Sequence, residues 1–351
     1  MFILSYPAVV YLFNIISKRF QVSPELNGAV VPNCPRVLVL VEPDPDVPPP
    51  PLHLIPSDVE VVQIDSAPTD EHLAGSSVLY IWDHRFADLA PLLRRTDELR
   101  WVHAASVGVN RLICPEVDSV TLTNSRGVFD TSISEWVLAA MLAHVKGLGD
   151  TWALQQESTW QYRTTGRLAG TRAAVVGTGS IGRAIADRLA RLDVHVTLVG
   201  RTPDLDPEFG TIRSSDDLVA VAADVDLLVL AVPLTPATTA LVGAEVLGAL
   251  GPRGFVVNIG RGPTVVESDL IDALRAGTIA GAALDVFEVE PLPAGSPLWS
   301  MPNVLVSPHM SGDYVGFEID MLTVFTDNLK RWRRDEPLQN VVDTAVGYVP
   351  R

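Results

Sequence analysis

Cysteine is almost missing from this chain. Cys34 and Cys114 are its only two, too few for a disulfide framework and too scattered for a metal centre, so no metal is expected and a reducing compartment, the cytoplasm, fits. Positive charge is scarce as well. The formal net charge is −16, and no dense Lys/Arg cluster of the kind that binds phosphate backbones is present, which excludes a nucleic-acid partner. The one basic run, Lys330 to Arg334, lies in an amphipathic C-terminal segment and reads as a solvated helix face. Long apolar runs are also lacking. The stretch "MFILSYPAVVYLFNIISKRF" is broken by Pro7 and Asn14 and falls short of the roughly 20 residues of a membrane span. Lys18 and Arg19 follow its apolar part instead of preceding it, the wrong order for a secretory signal. Residues 1–35 are therefore read as a peripheral arm, and no membrane partner is expected. There is no internal repeat and no low-complexity linker.

What the chain does have is length and apolar content: 351 residues, 47% of them hydrophobic, enough for a large core divided between two domains. From Arg36 onward, short apolar runs alternate with longer segments of helical period, the pattern of an α/β protein. "RVLVLVE", "VEVVQID", "SSVLYIWD", "RWVHAA" and "VTLTN" give five candidate parallel strands. A second unit follows with "RAAVVG", "HVTLVG", "DLLVLAV", "FVVNIG", "AGAALDV" and "NVLVSP". Between the units, "SISEWVLAAMLAHVKGL" has apolar residues at helical spacing and predicts one long bridging helix. The last helical pattern, "GFEIDMLTVFTDNLKRWRRD", has room to fold back on the first unit, so that the chain crosses twice. The expected boundaries are 36–135 with 313–351 for one domain and 136–312 for the other.

"VVGTGSIGRA" places Gly177, Gly179 and Gly182 between an apolar strand and a helix. Glycine is needed where the chain turns tightly, where backbone approaches a pyrophosphate, and where helix packs close on strand, so the order predicts dinucleotide binding. The next strand, in "HVTLVGRTPD", should end in an acid that holds the ribose hydroxyls, yet Gly200 stands there, followed by Arg201 and Thr202. An aspartate repels a 2′-phosphate and a guanidinium binds one, so the exchange predicts NADP(H) in preference to NAD(H). Three later stretches, "VNIGRGP", "LDVFEVEPLP" and "VSPHMSGD", fall at strand ends that face the ligand crevice of an open parallel sheet. They carry Arg261, flanked by glycines that leave room for a small anion, Glu290, and His309, whose imidazole a carboxylate can orient. Taken singly, Arg261 also reads as a loop cation, Glu290 as a solvated acid and His309 as one of seven histidines. His103 is the rival imidazole; His195 reads as an exposed strand residue.

On these residues, together with "VPLTPAT" at Val232 to Thr238, the sequence resembles the D-isomer-specific 2-hydroxyacid dehydrogenases from about Arg36 to Tyr348. The resemblance implies a Rossmann-type cofactor domain inserted in a flavodoxin-like substrate domain, and a homodimer built through the cofactor domain and its bridging helix. It implies Arg261, Glu290 and His309 as the catalytic set. Val107 and Gly108 of "SVGVN" would offer N–H groups to the substrate carboxylate, and Asp285 would lie near the nicotinamide amide. It further implies cofactor contacts from Gly177, Gly179, Ser180, Ile181, Gly182, Arg201, Thr202, Val232, Pro233, Thr238, Ile259, Gly260, Ser311 and Gly312. The missing acid at Gly200 resembles the NADPH-using glyoxylate and hydroxypyruvate reductases, and Glu290 in place of Gln counts against a formate dehydrogenase. A short unregulated D-3-phosphoglycerate dehydrogenase and a nucleotide-sensing corepressor or scaffold are the alternatives. The pocket walls are expected from "NSRGVFDTS" around Arg126 and from Trp82 to Arg85.

Overall fold

A computed structural model describes residues 35–42, 48–83, 86 and 89–350. The arm at 1–34, together with Cys34, His84 and Arg85, lies outside the described residues. The first five apolar runs form one sheet, from β1 (Arg36–Leu40), β2 (Glu60–Ile64), β3 (Ser76–Ile81), β4 (Trp101–Ala104) and β5 (Thr121–Asn124), in the order β2-β1-β3-β4-β5. Every pairing is parallel. The inner strands read as unbroken apolar runs because both of their faces are covered.

The second sheet contains β6 (Arg172–Val176), β7 (His195–Gly200), β8 (Asp204–Asp206), β9 (Gly210–Ser214), β10 (Leu227–Leu230), β11 (Phe255–Asn258), β12 (Gly281–Leu284) and β13 (Val304–Val306). Their order is β13-β12-β11-β10-β6-β7-β9-β8. All pair in parallel except β8 with β9. Strand order reverses between β6 and β10, which opens a crevice at the carboxyl ends of the strands. The β8–β9 hairpin was not among the expected strands: β8 has three residues, two of them aspartates, and offers no apolar run to read.

The bridging segment is two helices, Asp130–Val145 and Leu148–Gln156, where one was expected. Gly147, at φ +56° in the left-handed region, separates them. Val137 and Met141 of the first are wholly buried in a core that includes residues of both sheets. The C-terminal helix Phe317–Arg333 returns to the first sheet, where Phe325 stacks on Tyr80 with ring centroids 4.4 Å apart. Val341 then bridges Thr123 at the β5 edge. The second unit is thus inserted into the first, as two crossings require.

Candidate functional site

The glycine turn after β6 is shaped by close approach. Gly177 has φ +121°, and a Cβ there would lie 2.2 Å from the Ala231 carbonyl oxygen. At Gly182 it would lie 2.0 Å from the carbonyl oxygen of Gly177, so both positions admit only glycine without moving backbone. Gly179 differs: it caps the helix Ser180–Ala190, and nothing stands within 4 Å of where its Cβ would be. Open space above a helix N-terminus with free N–H groups is the shape a pyrophosphate needs. Ser180 donates its hydroxyl to Asp130 at 3.1 Å, a carboxylate that sequence patterning did not single out. Burial pushes the Asp130 carboxyl above its usual range, against the Ser180 hydrogen bond and the charges of Arg126 and Arg188.

At the end of β7 the space for an acid is tight. A Cβ on Gly200 would meet Ile212 Cγ2 at 3.1 Å and Thr178 Cγ2 at 3.3 Å. Arg201 and Thr202 follow, both exposed, and Arg201 has no partner among the described residues. The donors that sequence reading placed here are therefore open to a ligand.

The three dispersed residues converge. Arg261 follows β11, and its Nη1 donates to the Gly260 carbonyl at 2.7 Å while Nε reaches Asn110 Oδ1 at 3.4 Å. Asn110 belongs to the loop after β4, so the guanidinium spans the two sheets' loops. Gly262 is needed beside it because a Cβ would lie 1.8 Å from the Phe287 carbonyl oxygen. Phe287 in turn donates its N–H to Glu290 Oε1 at 3.0 Å, and Glu290 Oε2 lies 2.8 Å from His309 Nδ1. Burial pulls the Arg261 guanidinium below its ordinary value, the Glu290 charge opposing and the Arg111 charge assisting. Burial pushes the Glu290 carboxyl up, but the His309 hydrogen bond and charge, the Phe287 N–H and the Arg261 charge outweigh it and leave it below the usual glutamate range. A carboxylate beside a half-exposed imidazole and a partly buried guanidinium can orient the first, support the charge of the second, and leave His309 Nε2 free for a ligand.

Asp285 follows β12 and is fully buried, and its carboxylate accepts from Ser307 Oγ at 2.6 Å, Met310 N at 2.9 Å and Ser311 N at 3.1 Å. It thereby fixes the loop on both sides of His309, which sits at φ +55°. In the loop after β4, Asn124 donates to the Val107 carbonyl at 2.7 Å and Ser106 to that of Gly108 at 2.8 Å. The N–H groups of Val107 and Gly108 have no partner among the described residues.

Most of the remaining expected contacts sit in the loops after β10, β11 and β13. A Cβ on Gly260, after Ile259, would lie 2.7 Å from the Val232 carbonyl oxygen, so the loops after β10 and β11 touch. The Thr238 hydroxyl is engaged within its own loop, donating to the Pro233 carbonyl at 2.6 Å. Ser311 accepts at its carbonyl from Ser132 Oγ at 3.1 Å, and Gly312 packs on Phe129.

In the two segments expected to wall the pocket, Trp82 is buried and donates its indole N–H to the Pro48 carbonyl at 3.0 Å, and Arg126 Nη1 donates to the Val349 and Pro350 carbonyls. The rival His103, in β4, is fully buried between the first sheet and the C-terminal helix. Its Nδ1 lies 2.8 Å from Thr123 Oγ1, which accepts from Trp101 Nε1 at 2.7 Å, and its Nε2 lies 3.4 Å from Ser125 Oγ. His195 is exposed, as read.

Residues 138–311 match the family described as D-isomer specific 2-hydroxyacid dehydrogenase, NAD binding domain. A hydroxyphenylpyruvate reductase of Plectranthus scutellarioides is 32% identical over 254 residues, 71% of this chain and 80% of its own. Glyoxylate/hydroxypyruvate reductase B of Pectobacterium carotovorum is 30% identical over 294 residues, 82% of this chain and 92% of its own. Among solved structures, an NADPH-dependent glyoxylate/hydroxypyruvate reductase of Sinorhizobium meliloti in complex with NADP and sulfate superposes with a TM-score of 0.76 at 27% identity, covering 90% of this chain and 100% of that one.

Proposed function

The chain belongs to the D-isomer-specific 2-hydroxyacid dehydrogenase family, and on that premise we propose that it interconverts a small 2-oxo acid and its D-2-hydroxy acid with NADP(H), glyoxylate or hydroxypyruvate being the favoured substrate. The observation that carries this reading is the convergence of Arg261 with the Glu290–His309 pair at the strand ends beside the glycine turn.

The nicotinamide, when bound, supplies or accepts the hydride. Arg261 binds the substrate carboxylate and polarises the keto oxygen, aided by the free N–H groups of Val107 and Gly108. Glu290 holds His309 through Nδ1, so that Nε2 delivers the proton to the keto oxygen or takes it from the hydroxyl. Negative charge gathers on that oxygen only as the hydride moves, so donors placed there favour the transition state over the ground state. Gly177, Gly179 and the N-terminus at Ser180 would hold the pyrophosphate, and Arg201 with Thr202 the 2′-phosphate, which leaves NAD(H) the weaker ligand. Similar reductases named for glyoxylate and hydroxypyruvate, one of them NADPH-dependent, support the same assignment. The working unit is a homodimer in the cytoplasm. Trp152 in the second bridging helix, and Trp160 and Tyr162 just after it, are 58, 99 and 87% exposed, an apolar surface that a second copy would cover. Among the described residues no helix is long and apolar enough to cross a membrane.

Loss of nicotinamide absorbance with glyoxylate, hydroxypyruvate, pyruvate and an aromatic oxo acid in turn tests the activity. His309→Gln should lower kcat by about 10²- to 10⁴-fold, the usual worth of a general acid, with NADPH affinity unchanged. Turnover of none of the four acids by the wild type would favour a nucleotide-sensing binding protein instead.

A further inference from the structure

The acid missing from the end of β7 reappears six residues later with a different partner. Asp206 closes β8, its side chain 1% exposed, and its Oδ2 binds Arg183 Nη2. Oδ1 accepts from the N–H groups of Glu208 and Phe209, each at 3.0 Å. All the carboxylate's bonds are thus spent inside the fold, and it does not reach a ligand.

Arg183 is the residue after Gly182, in the first turns of the helix whose N-terminus forms the pyrophosphate cradle. Asp206 is the last residue of β8, the short strand that follows directly on the turn leaving β7 through Gly200, Arg201 and Thr202. The ion pair therefore ties the element that would hold the pyrophosphate to the element that would hold the 2′-phosphate. Without it, the hairpin is joined to β7 through the pairings Val199↔Arg213 and Gly200↔Ser214. β8 is paired with β9 in turn, from Asp204↔Ile212 to Asp206↔Gly210, but neither pairing includes the turn residues Arg201, Thr202 and Pro203.

We propose that Asp206, acting through Arg183, is a positioning residue that sets the spacing between the pyrophosphate cradle and the Arg201–Thr202 turn, and so sets the preference for NADPH over NADH. The inference rests on the NADP(H) reading above and deepens it. NADPH and NADH share every contact except those to the 2′-phosphate. A turn that drifts from its place weakens the first ligand and leaves the second unaffected. A merely structural ion pair would move both alike.

The test compares dissociation constants for NADPH and NADH, by quenching of protein fluorescence, in the wild type, Arg201→Ala, Asp206→Asn and Arg183→Gln. Both pair-breaking variants should bind NADPH about tenfold more weakly, the scale of one charge-assisted hydrogen bond, with NADH within about twofold of wild type and kcat at saturating NADPH unchanged. If Asp206→Asn does not fold, Arg183→Gln carries the test, since that side chain is a third exposed and tolerates truncation. Equal affinity of the wild type for the two cofactors overturns the NADP(H) reading and this inference together. A preference lost in Arg201→Ala but kept in Arg183→Gln overturns the positioning role alone, as does an equal weakening of both cofactors.

Discussion

Gly108 has no side chain because Arg261 occupies the space one would fill: a Cβ there would lie 1.7 Å from Nη2 and 2.8 Å from Cζ of the guanidinium. The colliding group is the far end of a flexible side chain, so Gly108→Ala should displace Arg261 and spare the backbone. That costs the bonds to the Gly260 carbonyl and Asn110 and moves the cation away from the carboxylate it would bind. One charge-assisted hydrogen bond is worth about 1.5–3 kcal/mol, so KM for the oxo acid should rise about tenfold to a hundredfold, with kcat falling and NADPH affinity unchanged. Steady-state kinetics beside a cofactor titration check this; an unchanged KM would mean that Arg261 does not hold the carboxylate. Arg261, Glu290 and His309 were legible in the sequence because each follows a strand whose apolar run marks it, and strand ends in a parallel sheet share one crevice. Asn110, Asp130 and Asp206 were not. Their partners Arg261, Ser180 and Arg183 come from distant segments, and no local spacing links them.

Elements were legible where an apolar run marks them, whether in the buried inner strands or at the sheet edges. The runs that became β1 to β7 and β10 to β13 announce themselves as apolar stretches bounded by turns, whereas the polar β8–β9 hairpin and the break at Gly147 do not. That break matters for assembly. It ends the buried helix ahead of Leu148–Gln156 and the segment after it, where Trp160 and Tyr162 are almost wholly exposed. Apolar area buried between copies stabilises by roughly 25 cal/mol per Å², and two indoles and a phenol in each copy form a large share of such an interface. Replacing Trp160 and Tyr162 together by Ser should shift sedimentation velocity from dimer to monomer at micromolar concentration. The isolated protomer should keep its far-ultraviolet circular dichroism, because neither side chain supports the fold. A dimer that persists unchanged would place the interface elsewhere.

At the scale of the whole molecule, acid should act in part through the sheet that holds both ends of the described chain together. His103 lies among Tyr80, Trp101 and Phe325, beneath the C-terminal helix, with its nitrogens facing the hydroxyls of Thr123 and Ser125. Burial pulls its pKa from 6.5 down to about 3. Below pH 6.5 the unfolded chain gains a proton that the folded chain refuses until about pH 3, so this part of the stability is complete above pH 6.5 and shrinks as pH falls. One such proton corresponds to about 1.4 kcal/mol per pH unit, or roughly 2 kcal/mol between pH 7 and pH 5. Other groups add their own slopes: His144, pulled down by burial against Phe255, has the same sign, and Asp130, pushed up by burial, has the opposite one. Those slopes are common to the wild type and to His103→Gln, which keeps a hydrogen-bonding side chain but does not titrate. The difference between the two proteins in urea-unfolding free energy should therefore shrink by about 2 kcal/mol from pH 7 to pH 5, whatever the variant's stability at pH 7. A difference independent of pH would show that His103 takes up its proton as readily in the folded chain as in the unfolded one, which its complete burial beneath the stacked rings forbids.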